Sequence, residues 1–171
     1  MKRIILILVL FVSLQYLNAQ AFDGDFDHKF VIGYGNVSGH SGIDVQYGAG
    51  LTDYVSAGLR LMYFSVNDSL FSNSIEDDGL KTNFDIGAYL RFHFTDVLNL
   101  SSKFDPYLGL GGGLNSADIN AGVIYSFNET VGIYGQYSYS FGGGFWGLVR
   151  EEKSFLYKKS IFSIGLTLSL W

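Results

Sequence analysis

Phe84-Asp85-Ile86-Gly87-Ala88-Tyr89-Leu90-Arg91-Phe92-His93-Phe94 reads as an unbroken alternation. Phe84, Ile86, Ala88, Leu90, Phe92 and Phe94 take every second position, and Asp85, Gly87, Tyr89, Arg91 and His93 fill the gaps. An extended chain sends successive side chains to opposite faces, so period two marks a strand with one apolar and one polar face. Soluble strands usually run about 5–6 residues. A strand that crosses a bilayer needs about 9–11, and this stretch has that length.

The same pattern recurs along the chain. Residues 42–51 put Ile43, Val45, Tyr47, Ala49 and Leu51 on one face, with Asp44 and Gln46 on the other. Residues 55–64 set Val55, Ala57, Leu59, Leu61 and Tyr63 against Ser56, Gly58, Arg60 and Met62. Residues 119–127, 131–141 and 162–170 follow suit. Two weaker segments, 29–37 and 105–114, complete a set of eight; the second is so rich in glycine that its faces are poorly defined.

The connections carry a repeat of their own. Leu51-Thr52-Asp53-Tyr54-Val55, Phe94-Thr95-Asp96-Val97 and Phe127-Asn128-Glu129-Thr130-Val131 each pass from a large apolar residue through Thr or Asn and an acid back to an apolar residue. Such side chains accept local backbone hydrogen bonds and favour tight turns. These turns follow the second, fourth and sixth segments. Longer connections, 67–80 and 142–156, fall on the opposite rim, as in outer-membrane barrels.

Side-chain size selects the face that points inward. A soluble barrel would bury its apolar face. Here that face is Phe, Tyr, Leu and Ile, while the other is Gly, Ser, Thr and Gln with a few charges. Eight strands leave room only for packed side chains, so the small polar face fits the interior and the large apolar face fits lipid. Aromatics near strand ends would form interfacial girdles: Tyr63, Phe84, Tyr139 and Phe141 on one rim, Tyr54, Phe94 and Phe127 on the other. The expected fold is all-β: an eight-stranded antiparallel up-and-down transmembrane β-barrel.

Composition and leader agree. The 171-residue chain has 22 Gly, 15 Phe, 12 Tyr and one Pro, and its charged fraction of 16% lies below the roughly 25% of soluble domains. Lys2 and Arg3 precede a run over 4–14 that is apolar except for Ser13, broken afterwards by Gln15, Asn18 and Gln20. That run is the length of a signal-peptide core and short for a spanning helix. The reading is a cleaved signal peptide over 1–19, with the cut after Ala19, and a barrel domain over 20–171; a membrane-anchoring helix is the alternative. The absence of Cys excludes disulfides, thiolate metal sites and a lipid-modified cysteine. A formal net charge of −5 disfavours nucleic acid as a partner, which is held through phosphate contacts.

The chain resembles the small outer-membrane β-barrel proteins of Bacteroidota, in particular a family of unknown function. The matching pieces are Ala21-Phe22 with Gly24, Asp27 and Lys29, then 39–43, Gly50-Leu51-Thr52-Asp53-Tyr54, Leu90-Arg91-Phe92-His93-Phe94, and Asp105-Pro106-Tyr107-Leu108-Gly109-Leu110. The resemblance implies the fold, the cell outer membrane as location, outer-membrane lipid as surroundings, and barrel-assembly and export machinery as partners. It implies no activity. One departure is the C-terminus: Trp171 is the terminal aromatic, yet the alternation puts Leu170 on the lipid face.

Few residues point to chemistry. His40-Ser41 with Asp44 contains the residue types of a hydrolase triad, but a triad is spatial, and a polar hairpin loop explains the stretch. It is the basis of the enzymatic alternative, a lipid-modifying outer-membrane enzyme; the main expectation is no enzyme and no cofactor. None of His28, His40 and His93 has a second His two to four residues on, and the chain has no Cys, so a structural zinc site is not expected. The glycines after Leu108 lack the Lys-Ser or Lys-Thr of a phosphate loop. Asp44, Arg60, Asp85 and Arg91, with His93, form the expected interior charges. Burial calls for pairing, so Arg60 is expected against Asp44 or Asp85. A salt-bridged plug is favoured over a charge-lined narrow channel. The acidic connection 67–80 lacks the spacing of a calcium loop; its Asp68-Ser69-Leu70 resembles a short O-glycosylation acceptor motif. Phe145 and Trp146 are the candidate contact residues for an extracellular partner, or else cover the barrel mouth or rest on the lipid interface. The expected role is structural or surface interaction through long loops, with a narrow channel or transport component as the alternative.

Overall fold

The computed structural model describes residues 20–65, 83–142, 144 and 155–170. Eight strands close into one antiparallel barrel: β1 His28–Val37, β2 His40–Thr52, β3 Val55–Phe64, β4 Phe84–His93, β5 Phe104–Gly113, β6 Ala117–Ser126, β7 Val131–Gly142 and β8 Ser160–Leu170. Each pairs with its sequence neighbours, and β1 closes on β8 with Phe30 opposite Leu168 and Tyr34 opposite Ile164. Closure removes every free sheet edge, which is what a strand-built membrane protein requires. The leader expected over 1–19, the connection 67–80, Phe145, Trp146 and Trp171 lie outside the described residues.

The core is inverted relative to a soluble barrel. Ile32, Ile43, Leu59, Leu61, Ile86, Leu90, Leu110, Ile164 and Leu166 stand exposed on the outer wall. Asp44, Gln46, Arg60, Asp85, Arg91, Asp118 and Gln136 are buried within. The outer wall carries aromatic contacts near the rim that holds the termini. Tyr54 stacks on Phe92, Phe92 meets Phe94 edge-on, and Tyr125 meets Phe127 likewise.

The rims differ from the expected contrast of short and long. On the terminal rim, β2–β3 turns tightly: the Thr52 hydroxyl accepts from the Tyr54 and Val55 amides. Asn128 does the same for Thr130 and Val131. The β4–β5 connection runs over 94–103, so Val97 does not begin a strand; it lies exposed in a run of turns closed by Leu98 N–H to Phe94 O and Leu100 N–H to Thr95 O. On the opposite rim β1–β2 is likewise a two-residue hairpin. Ser38 and Gly39 both have positive φ, 51° and 87°, the two-residue geometry that matches strand twist.

Both mouths are stoppered. At the loop rim Phe155 and Leu156 pack on Val37, Met62, Phe64 and Ile161. They come from the β7–β8 connection, ten residues beyond the Phe145-Trp146 pair favoured from sequence. At the terminal rim Ala21 and Phe22 turn into the barrel and are buried. The Ala21 amide donates to Ser102 O at 2.6 Å, and Phe22 lies flat on the His93 ring at 3.7 Å.

Glycines make room for inward tyrosines. Gly58 on β3 has no space for a Cβ, because Tyr47 O and the Tyr89 ring occupy it. Gly135 on the outer wall faces open space. Gly58→Ala is therefore expected to cost about 1–3 kcal/mol, the usual range for overpacking. Gly135→Ala is expected to change stability by less than about 0.5 kcal/mol. Urea titration of the two refolded variants checks the contrast; equal effects would contradict this packing.

Candidate functional site

The interior between the stoppers is a layered polar network. In the upper layer Asp85 accepts from the Asn115 amide at 2.8 Å and from the Ser116 hydroxyl. The β5–β6 turn is thereby tied to the inside of β4. In the middle layer Arg60 meets Asp118 at 2.5 Å. This corrects the expected pairing: Arg60 donates to Asp118 on β6, and Asp44 and Asp85 act on it only through their charge. Asp44 accepts from Gln46 Nε2 at 2.9 Å and from the Tyr134 hydroxyl at 3.2 Å.

Arg91 also departs from simple pairing. It donates to Gln46 Oε1 at 2.5 Å and Gln136 Oε1 at 2.6 Å. Its guanidinium lies over the Tyr89 ring at 3.9 Å and the Tyr107 ring at 4.5 Å. Two amide oxygens and two π faces stabilise this buried cation in place of a carboxylate. Its Nε–H has no hydrogen-bond partner among the described residues.

The lower layer holds an arrangement that sequence adjacency did not signal. Ser56 Oγ on β3 is 2.7 Å from His93 Nε2 on β4. His93 Nδ1 is 2.6 Å from Asp105 Oδ2 at the start of β5. The other carboxylate oxygen of Asp105 accepts from the Thr95 hydroxyl at 2.8 Å. A carboxylate only accepts, so Nδ1–H donates to Asp105, which leaves Nε2 as the ring nitrogen that faces the serine hydroxyl. All three side chains are buried. They meet because β3, β4 and β5 are consecutive, with Ser56 opposite Arg91 and His93 opposite Tyr107.

His40, Ser41 and Asp44 do not assemble. Alternation sends Ser41 outward to the Tyr34 hydroxyl at 2.8 Å and Asp44 inward, while His40 packs edge-on against Phe155 at the loop rim. The sequence reading placed Asp44, Arg60, Asp85, Arg91 and His93 on the inward face, and all five are buried there. It missed Asp105 and Asp118. Extending the parity of Leu108 and Leu110 back along β5 places Asp105 inward. Asp118 lies one residue before the start assigned to that segment, next to outward Ile119.

Among the described residues this layer is closely packed. The void beneath Phe22, lined by Ser56, Tyr89, Arg91, His93 and Ile124, measures about 20 Å³, space for about one water.

No family model matches the chain, and no curated protein sequence does. A solved structure from the de novo design of transmembrane β-barrels superimposes with a TM-score of 0.60, over 86% of this chain and 98% of its own, at 10% identity. At that identity the likeness concerns fold: a closed eight-stranded antiparallel barrel of the transmembrane type.

Proposed function

We propose that this protein is a barrel of the bacterial outer membrane, exported by its leader, inserted by the barrel-assembly machinery and surrounded by outer-membrane lipid. Its role in this reading is structural or one of surface interaction, through the connections β3–β4 and β7–β8. The single observation that carries the membrane reading is the inverted core. A wall of exposed Leu, Ile, Phe and Tyr surrounds buried Asp, Arg, Gln and Asn, an arrangement stable in hydrocarbon and unstable in water. The resemblance to small Bacteroidota barrels supports the same membrane. The role itself requires no catalysis and no cofactor.

Passage through the barrel is disfavoured by the interior. Arg60–Asp118, the Arg91 cluster and two hydrophobic stoppers fill the cross-section. The experiment is fractionation with a gel assay and a bilayer recording. The mature chain is expected in the outer-membrane fraction, with heat-modifiable mobility and no steady conductance in planar bilayers. Recovery as a soluble periplasmic protein without detergent would overturn the membrane reading; stable unitary conductance would return the channel.

A further inference from the structure

We infer that Ser56, His93 and Asp105 form a serine-nucleophile site for small aryl esters, closed in this conformation by the Phe22 side chain. Three observations support it. The first is geometry: nucleophile to base 2.7 Å, base to carboxylate 2.6 Å, and the carboxylate itself fixed by Thr95. Activation of serine requires this chain of contacts, with the base oriented by a third group. The second is Arg91. It faces Ser56 directly across the β3–β4 pair and lines the same void, and its buried Nε–H has no hydrogen-bond partner among the described residues. A buried cationic N–H donor that shares a void with the nucleophile supplies the kind of group that stabilises a developing oxyanion. The third is the lid. Phe22 lies parallel to the His93 ring, 5° between planes, so the seat over the base already fits an aromatic ring.

The lid can lift without opening the barrel. It precedes β1 on a strap anchored to β2 by Phe26 N–H to Gly50 O and Gly50 N–H to Asp27 O; beyond that anchor the segment carrying Phe22 is held by Ala21 N–H to Ser102 O and Asp23 N–H to the Asp27 carboxylate. Gly24 supplies the bend with a φ of 80°. Local opening of such a segment costs less than breaking a closed sheet. The substrate then takes the seat of the phenylalanine ring from the rim that carries the termini. An aryl ester stacks its ring on His93 and sets its carbonyl towards Ser56.

The chemistry balances as hydrolysis. Ser56 Oγ forms a bond to the carbonyl carbon as its proton passes to His93 Nε2, and the oxygen charge develops towards Arg91 Nε–H. The bond to the aryloxide breaks, and that oxygen takes the proton from His93. Water then attacks the acyl-serine; His93 accepts its proton and returns it to Ser56. Ester and water become acid and phenol.

The test uses the full mature barrel refolded in detergent, with phenylmethanesulfonyl fluoride as covalent probe and p-nitrophenyl acetate as substrate. In the probe reaction the Ser56 oxygen bonds to sulfur and fluoride leaves. Phe22→Ala is expected to give a Ser56 adduct by mass spectrometry at least about ten times faster than wild type. Adding His93→Gln is expected to slow it by about a hundredfold or more, the scale of a lost general base. Ester turnover should follow the same order. Phe22→Leu keeps an apolar side chain in the seat and carries the test if the alanine variant does not fold. Absence of a Ser56 adduct in every heat-modifiable variant would overturn the site, as would labelling indifferent to His93→Gln. Wild type labelled as fast as the Phe22 variants would overturn the lid.

Discussion

Arg60→Ala is expected to lower the stability of the refolded barrel by about 3–5 kcal/mol, the range for removing one partner of a buried ion pair. Arg60 and Asp118 have side-chain exposures of 5% and 0%, so water cannot replace the lost cation. Asp44 and Asp85 also act on Arg60 through charge, and its removal leaves a cluster of acids facing one another. The double variant Arg60→Ala/Asp118→Asn relieves only part of that and should recover part of the loss. Lys159→Ala is the control: the side chain is exposed beside the loop rim, and the change should stay within about 0.5 kcal/mol. Urea titrations of the four proteins in the same detergent measure the differences. Equal effects at Arg60 and Lys159 would mean that the interior charges are hydrated and unpaired.

Leu59→Arg is expected to cost about 2–4 kcal/mol in lipid vesicles, the range for a cation on the lipid face at the bilayer midplane. Leu59 is the fifth residue of the ten in β3 and is 63% exposed on the outer wall. Leu51 is exposed near the end of β2, at the rim of the tight turns. Leu51→Arg should cost about 0–1 kcal/mol, because a cation near the interface reaches water. The gradient with depth is the informative quantity. In a water-soluble barrel both changes would be neutral, since each replaces an exposed apolar side chain with a solvated one. A flat response in vesicles would therefore contradict the lipid-facing assignment.

Much of the candidate site was half legible. Alternation around Leu90 and Phe92 places Arg91 and His93 inside, and that around Leu59 and Leu61 places Arg60 and Ser56 inside. The partners were not legible. Asp118 stands one residue before the regular alternation that begins at Ile119, and the inward parity of Asp105 follows only from Leu108 and Leu110, because glycines blur the rest of β5. The stoppers were missed for a different reason. Ala21-Phe22 and Phe155-Leu156 lie outside the alternating segments, so period two says nothing about where they fold. Hydrophobic residues beside an open barrel mouth bury themselves in it, and only the closed shape shows that a mouth is there.

By itself the sequence determined the all-β class, eight strands, their approximate bounds and the face each side chain takes. Those are local properties: period two is written along each strand, and the contrast between large apolar and small polar faces selects lipid or interior. The tertiary structure alone decided that Arg60 pairs with β6 rather than with β2 or β4. It alone brought Ser56, His93 and Asp105 into line and set Phe22 over them. Contacts across a barrel depend on inter-strand register and on closure of β1 against β8. A shift of two residues in that register leaves every alternation intact while giving each buried charge a different partner.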